Sequence, residues 1–339
     1  MENQTVETIQ QRLEETRGNL AHWLEATPPQ KKALQCCAED APPLVEHMQV
    51  IDESLGRIHE GTFGVCKVCH DAVDDVLLRM DYTSSVCLGH YTDEELRQLE
   101  SELELSQIVQ RGLLPQQAPT IPGLSIAAFS RPAQIVSGDY FDFVQFRDGS
   151  HGIVMADISG HGVSAGMLMS SLQTAFHTLA PLADSPLEVL ERINRLYAHN
   201  ISFTTFVTVF FGRLDAANGQ LSYGSAGHNS GYLYRAGTGE EFLLHPTGPA
   251  IGLMEGFAVR LEQVQLRSGD ALVLYTDGLT EAFNSVGVQW GLDRLTEVIR
   301  SNAAQTPEKL IQKIVKELTD FTEGSPLADD ATLVVCKVT

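Results

Sequence analysis

The sequence predicts an α+β protein: a layered domain of mostly antiparallel sheet with a few grouped helices, preceded by a helical region and a linker helix. Three observations carry that reading. Residues 1 to about 60 are rich in Glu, Gln, Leu and Ala, with apolar residues at helical spacing. From Gly123 onward the texture changes to short apolar runs punctuated by Gly, Asp and Asn, the signature of strands and turns. Few helical patterns interrupt those runs, so the strands do not alternate one for one with helices. At 339 residues the chain is long enough for two domains, one of them large.

The elements follow in order. Leu13, Leu20 and Leu24, then Leu44, Met48, Ile51, Leu55 and Ile58, mark two helices, because Pro28-Pro29 and Pro42-Pro43 break the pattern between them. A compact cysteine segment begins at Gly61-Thr-Phe-Gly-Val-Cys66 and ends near His90, closing a first region over residues 1–91. Thr92-Asp-Glu-Glu-Leu96 is a capped helix start. That helix runs through Leu99, Leu103, Leu105, Ile108 and Val109 to Leu113-Leu114-Pro115 and forms a linker over 92–118. Its apolar spacings of three and four suit a coiled coil, and hence a homodimer, or a helix packed on its own domain. Over 119–339 the predicted strands are Leu124–Phe129, Tyr140–Phe146, Gly152–Ala156, Phe206–Leu214, Gln220–Gly224, Gly231–Tyr234, Val259–Leu266, Ala271–Tyr275 and Ala331–Val338. Helical patterns cover Ser164–Leu179, Pro186–Ile201 and Pro307–Phe321.

A formal charge of −21 argues against a nucleic-acid partner. The start, Met1-Glu-Asn-Gln-Thr-Val-Glu7, lacks the basic and apolar regions of a signal peptide. No apolar run approaches the ~20 residues that span a bilayer. The expected location is the cytoplasm, with no membrane partner. There, six cysteines suggest metal binding more than disulfides.

Asp139, Asp157, Asp277 and Asp329 are spread along the second region. Any one alone reads as a turn or cap aspartate. Asp157, however, follows the apolar run Gly152-Ile-Val-Met-Ala156, and Asp277 follows Ala271-Leu-Val-Leu-Tyr275. Carboxylates buried at strand ends are unfavourable unless a cation compensates them. Oxygen-only donors suit Mg2+ or Mn2+, and two such ions can activate water for in-line displacement at phosphorus. The residues therefore predict a metal-dependent phosphohydrolase.

Seven segments stand in an order that resembles the bacterial PP2C-type serine/threonine phosphatases of the SpoIIE/RsbU group. They are Gln110-Arg-Gly-Leu-Leu-Pro115, Ser137-Gly-Asp-Tyr-Phe-Asp142, Ala156-Asp-Ile-Ser-Gly-His-Gly162, Ala226-Gly-His-Asn229, Gly248-Pro-Ala-Ile-Gly-Leu253, Tyr275-Thr-Asp-Gly-Leu-Thr-Glu281 and Asp329-Asp-Ala-Thr332. The resemblance implies a β-sandwich flanked by helices, with two Mn2+ or Mg2+ ions at one end. It implies that Asp157 bridges the ions and that the Ile158 carbonyl and Asp139 join one of them. Asp277 and Asp329 hold the other, with Asp330 the lesser candidate of its pair. Asp142 would support the site or serve as an alternative ligand. His161 would protonate the leaving oxygen or shape its Gly-His-Gly turn; His228 is read as structural. The implied substrate is a phosphorylated STAS-domain anti-sigma-factor antagonist, and such enzymes are often latent until an upstream regulator orders a helix near the site.

Cys66-Lys-Val-Cys69 and Cys87-Leu-Gly-His90 form two close pairs separated by a loop, which suits tetrahedral Zn2+ held by three thiolates and one imidazole. With Ile51–Cys66 before it, the segment resembles DksA/TraR-type zinc fingers, departing from them at His70 and His90. The site is read as structural, with loss of zinc on oxidation as the sensory alternative. Cys36-Cys37 and Cys336 are read as packed residues. The competing reading of the whole chain is a zinc-finger transcription regulator whose C-terminal domain only binds.

Overall fold

The computed structural model describes residues 3–28, 32, 42–74, 77–78, 82–160, 162–200, 206–216, 218–254, 258–325 and 327–339. Cys36, Cys37, His161 and Ile201 lie outside them. Contacts divide the chain into a unit within residues 1–102 and a second within 103–201 and 205–339.

In the first unit, helices α1 (Asn3–Ala26) and α2 (Pro42–His59) pack through Ile9, Leu13, Ile51 and Leu55. Pro42 opens α2, where its locked φ suits a first helical turn and its missing N–H has no intrahelical partner to lose. From the last turn of α2, Arg57 donates to the carbonyls of Thr62 and Val65, and Lys67 pairs with Glu53 at 2.8 Å. These contacts seat the cysteine segment at the end of the helix. Helix α3 (Asp93–Leu113) follows, its residues 103–113 belonging to the second unit.

The second unit is built on two five-stranded sheets. One has the order β1-β10-β9-β6-β7, the other β2-β3-β4-β5-β8, and every pairing is antiparallel. The strands are β1 (Leu124–Arg131), β2 (Tyr140–Gln145), β3 (His151–Ile158), β4 (Val207–Asp215), β5 (Gln220–Ala226), β6 (Gly231–Arg235), β7 (Glu240–Leu244), β8 (Glu262–Gln265), β9 (Asp270–Tyr275) and β10 (Ala331–Val338). Helices α4 (Val163–Leu179) and α5 (Pro186–Asn200) cover the outer face of the second sheet. The one-turn α6 (Asp277–Thr280) with α7 (Gly291–Asn302) and α8 (Pro307–Phe321) covers the first.

Alternation along the strands builds three cores. Phe141, Ile153, Met155, Phe210, Leu272, Leu274 and Val334 meet between the sheets. Tyr140, Val154, Ala156 and Phe211 face α4 and α5, and Val273, Tyr275, Leu333 and Val335 face α7 and α8. The predicted sandwich is therefore present, with three differences of detail. Strand β7 carries Glu240 and Glu241 on an exposed edge, so no hydrophobic alternation announces it. Helix α7, absent from the predicted elements, packs Leu292, Leu295, Val298 and Ile299 at helical spacing. The strand predicted over Val259–Leu266 begins only at Glu262, while Val259 packs into the helix-side core from the preceding loop.

Candidate functional site

One end of the sandwich changes chemistry. Following the inner faces toward that end, apolar residues give way to Asp139 before β2, Asp157 near the end of β3, Thr208 near the start of β4, Thr276 after β9 and Thr332 at the start of β10. The parity is that of Phe141, Met155, Phe210, Leu274 and Val334 in the inter-sheet core. The polar end-cap is thus the last rung of the same ladder.

Asp139 is buried and accepts a 2.7 Å hydrogen bond from the Thr276 hydroxyl. Burial, then the charges of Asp157 and Asp330, push its carboxyl well above the usual range, against the pull of Thr332 and Thr276. Asp157 is pushed up to about 7, first by burial and then by Asp277, Asp329 and Asp330. Asp277 is raised by burial and by Glu281, with the Gly278 N–H opposing. Asp157 therefore shares its field with Asp139, Asp277, Asp329 and Asp330. The charge that would relieve all of them is positive, and the donors are hard oxygens, so the set fits a divalent Mg2+ or Mn2+.

Two glycines permit the close approaches here. A Cβ on Gly138 would stand 3.0 Å from the Ile158 carbonyl oxygen, so the glycine lets the Asp139 segment lie against that carbonyl. A Cβ on Gly278 would stand 2.0 Å from the Asp330 carbonyl oxygen, so only glycine lets α6 abut the Asp329-Asp330 backbone.

The neighbouring aspartates do different work. Asp330 spends one carboxylate oxygen on the Ala133 N–H and the other on the Gly138 N–H, each at 2.7 Å. Asp329 stays exposed, with one oxygen accepting the Asp330 N–H at 2.9 Å. Asp142 sits on the opposite face of β2 from Asp139, beneath α4. It accepts from the Tyr140 hydroxyl at 2.7 Å and pairs with His177 Nε2 at 2.8 Å. That corrects the expectation of Asp142 as an alternative ligand: three residues along a strand reverse the direction of the side chain. His228 is buried, shares a 2.8 Å hydrogen bond with Thr208 and is held down to about 4 by burial, so its imidazole is neutral near pH 7.

In the first unit, ligand atoms of Cys66, Cys69, Cys87 and His90 all lie within 4.8 Å of one another. The Cys69 and Cys87 sulfurs are 3.6 Å apart. The N–H groups of Val68 and Cys87 each point at Cys66 Sγ from 3.4 Å. Burial pushes the Cys66 thiol up, but the N–H groups of Cys69, Cys87 and Val68 outweigh it and draw the thiol down to about 6, whereas at Cys69 the Asp71 N–H is outweighed by burial and the Cys87 and Cys66 sulfurs, which push it up to about 11. Such backbone donors favour a thiolate, the form that binds metal. His70, where the segment departs from the DksA/TraR pattern, takes a left-handed backbone at φ 63 and lies outside this quartet. Cys336 is buried in the inter-sheet core. Among the described residues, no helix is long and apolar enough to cross a membrane.

Comparison with known proteins gives concordant matches. Residues 147–339 match the family model described as stage II sporulation protein E. Phosphoserine phosphatase RsbU of Bacillus subtilis is 31% identical over 304 residues, covering 86% of this chain and 88% of its own. Phosphoserine phosphatase RsbP of the same organism is 25% identical over 70% of this chain and 58% of its own. Among solved structures, the SiaA-PP2C domain of Pseudomonas aeruginosa superposes with a TM-score of 0.64 at 23% identity, covering 72% of this chain and 98% of that one. The RsbU and RsbW domains of Rv1364c from Mycobacterium tuberculosis give 0.56 at 30% identity, over 65% of this chain and 61% of that one.

Proposed function

The chain belongs to the SpoIIE family of PP2C-type protein serine phosphatases, close to RsbU, and on that premise we propose that it hydrolyses phosphoserine on a STAS-domain anti-sigma-factor antagonist with a pair of Mn2+ or Mg2+ ions. What supports the two-ion reading is that Asp157, at the polar end where both sheets stop, is coupled by charge to Asp139, Asp277 and Asp329 together. Asp139, Asp157, Asp277, Asp329 and the Ile158 carbonyl are the groups that would hold the ions. When bound, the pair supplies an activated water and neutralises charge on the phosphoryl oxygens. The chain's own part is positioning. Thr276 fixes the Asp139 carboxylate, Asp330 braces the loop before it, and Gly278 sets α6 against the Asp329 backbone. His161 is the candidate proton donor to the leaving oxygen. Phosphate release from a phosphoserine STAS protein with Mn2+, comparing the full chain with Asp157→Asn, tests this reading; equal turnover by both would end it.

In the first unit, the reading is one Zn2+ held by Cys66, Cys69, Cys87 and His90 and closing the loop that follows α2. Metal analysis of the purified full chain, with one equivalent of zinc expected and none for Cys66→Ser, tests it. Helix α3 exposes Leu105, Ile108 and Val109 along one stripe, which supports a homodimer or the binding of an upstream regulator there. Sedimentation of the full chain against Ile108→Glu separates those states.

A further inference from the structure

Gln110 is buried in the last turn of α3, where a polar side chain needs partners. It has two, both on one residue. Its Nε2 donates to the Ser137 carbonyl at 2.7 Å, and its Oε1 accepts the Ser137 N–H at 2.8 Å. A side-chain amide is the neutral group that offers one donor and one acceptor side by side, as a neighbouring strand would. The clamp closes two residues before Asp139, and the Ser137 hydroxyl accepts the Asp139 N–H at 3.1 Å.

The segment it grips is otherwise irregular. Residues 132–139 connect β1 to β2 without strand partners, and side chains hold them instead. Asp330 takes the N–H groups of Ala133 and Gly138, Gln107 donates to the Ile135 carbonyl at 3.1 Å, and Gln110 takes both polar groups of Ser137. Two of those grips come from one face of α3. On its other side Gln110 meets α4: a Cβ on Gly166 would stand 3.1 Å from Gln110 Nε2, so the glycine leaves room for the amide. Leu114, just past α3, packs against both the inter-sheet and helix-side cores and pins the helix end.

We propose that Gln110 is a positioning residue: by clamping Ser137 it fixes the path of the loop that carries Asp139, and so sets the affinity of the carboxylate site for its divalent ions. The inference rests on the two-ion reading of that site. The Asp139 carboxylate is held by the Thr276 and Thr332 side chains, and its backbone is held through this loop by the Ser137 hydroxyl. Released at Ser137, the loop keeps its carboxylate but loses its aim.

The test uses full-length, zinc-replete protein and reads Mn2+ binding by calorimetry alongside turnover of p-nitrophenyl phosphate. Gln110→Leu keeps the volume and removes both hydrogen bonds; Gln110→Glu keeps the acceptor for the Ser137 N–H and sets a charge against the Ser137 carbonyl. The expected result is an Mn2+ dissociation constant raised at least about tenfold in both variants, a matching rise in the Mn2+ needed for half-maximal rate, and a maximal rate at saturating Mn2+ within about threefold of wild type. Gln107→Ala, which removes only the outer grip, shifts Mn2+ affinity in the same direction by less and serves if the Gln110 variants do not fold. Unchanged Mn2+ affinity in folded Gln110 variants, or in Gln107→Ala when those are unfolded, overturns the inference. A wild-type chain that neither binds Mn2+ nor turns over overturns the two-ion reading itself, a result the variants alone cannot produce.

Discussion

The two metal-suited clusters of this chain are assembled in opposite ways. Cys66, Cys69, Cys87 and His90 fall within one short stretch, and a local loop with backbone N–H donors on Cys66 brings their ligand atoms together. Asp139, Asp157, Asp277 and Asp329 come from across the second unit and share one polar end because the two sheets stop there, coupled by charge rather than gathered as tightly as the Cys/His quartet. A site of the first kind would stabilise its own fold on binding metal, since among the described residues the segment's buried apolar side chains are Cys66, Val73 and Leu78. The second is imposed on a fold already held by three hydrophobic layers, and it stores repulsion among carboxylates. A local site is thus part of the stability of its unit, and a long-range site is a burden its scaffold carries.

The contrast can be broken at either end. The largest effect is expected for Asp157→Asn, which should lower the rate of phosphoserine hydrolysis by at least about 10^3-fold, in line with loss of a central metal-site group. Its zinc content should stay at the wild-type level, as metal analysis would show. Cys66→Ser is the mirror experiment. It should abolish zinc uptake and unfold the cysteine segment, as hydrogen exchange over residues 61–90 would report, while hydrolysis of p-nitrophenyl phosphate stays within about threefold.

The burden of the carboxylates gives a smaller effect with a definite sign. Asp157 ionises near 7 in the folded chain and near 3.8 when exposed, so the folded state keeps its proton longer. In metal-free protein, stability should be highest below about 4 for this group and fall as pH rises toward 7. Removing that charge should therefore stabilise the metal-free chain at pH 8 by on the order of 1–3 kcal/mol, so that inactive Asp157→Asn melts above wild type. A lower melting point would show the repulsion is already relieved. Smallest is Asp142→Asn. Because Asp142 ties β2 to α4 rather than facing the ions, its loss should cost about 1–2 kcal/mol in chemical denaturation and less than about tenfold in rate.

Much of this was legible in the sequence. The Cys/His spacing named its quartet, and the apolar runs before Asp157 and Asp277 marked strands whose ends carry charge. The edge strand β7 was hidden because solvent, not a core, chose Glu240 and Glu241. Asp142 was misjudged because its role depends on where β2 begins: Asp139 and Asp142 look alike in Ser137-Gly-Asp-Tyr-Phe-Asp142, and strand pleating sends them to opposite faces.

By itself the sequence determined the periodicities, hence the helices and most strands, and the local spacing behind the Cys/His quartet, because both depend on residues close together in the chain. Only the tertiary structure decided which of two adjacent aspartates is spent on backbone N–H groups almost 200 residues away, and that an amide in α3 clamps the loop leading to Asp139. Those outcomes depend on which strand ends share an edge and which face each side chain takes, and no local pattern encodes either.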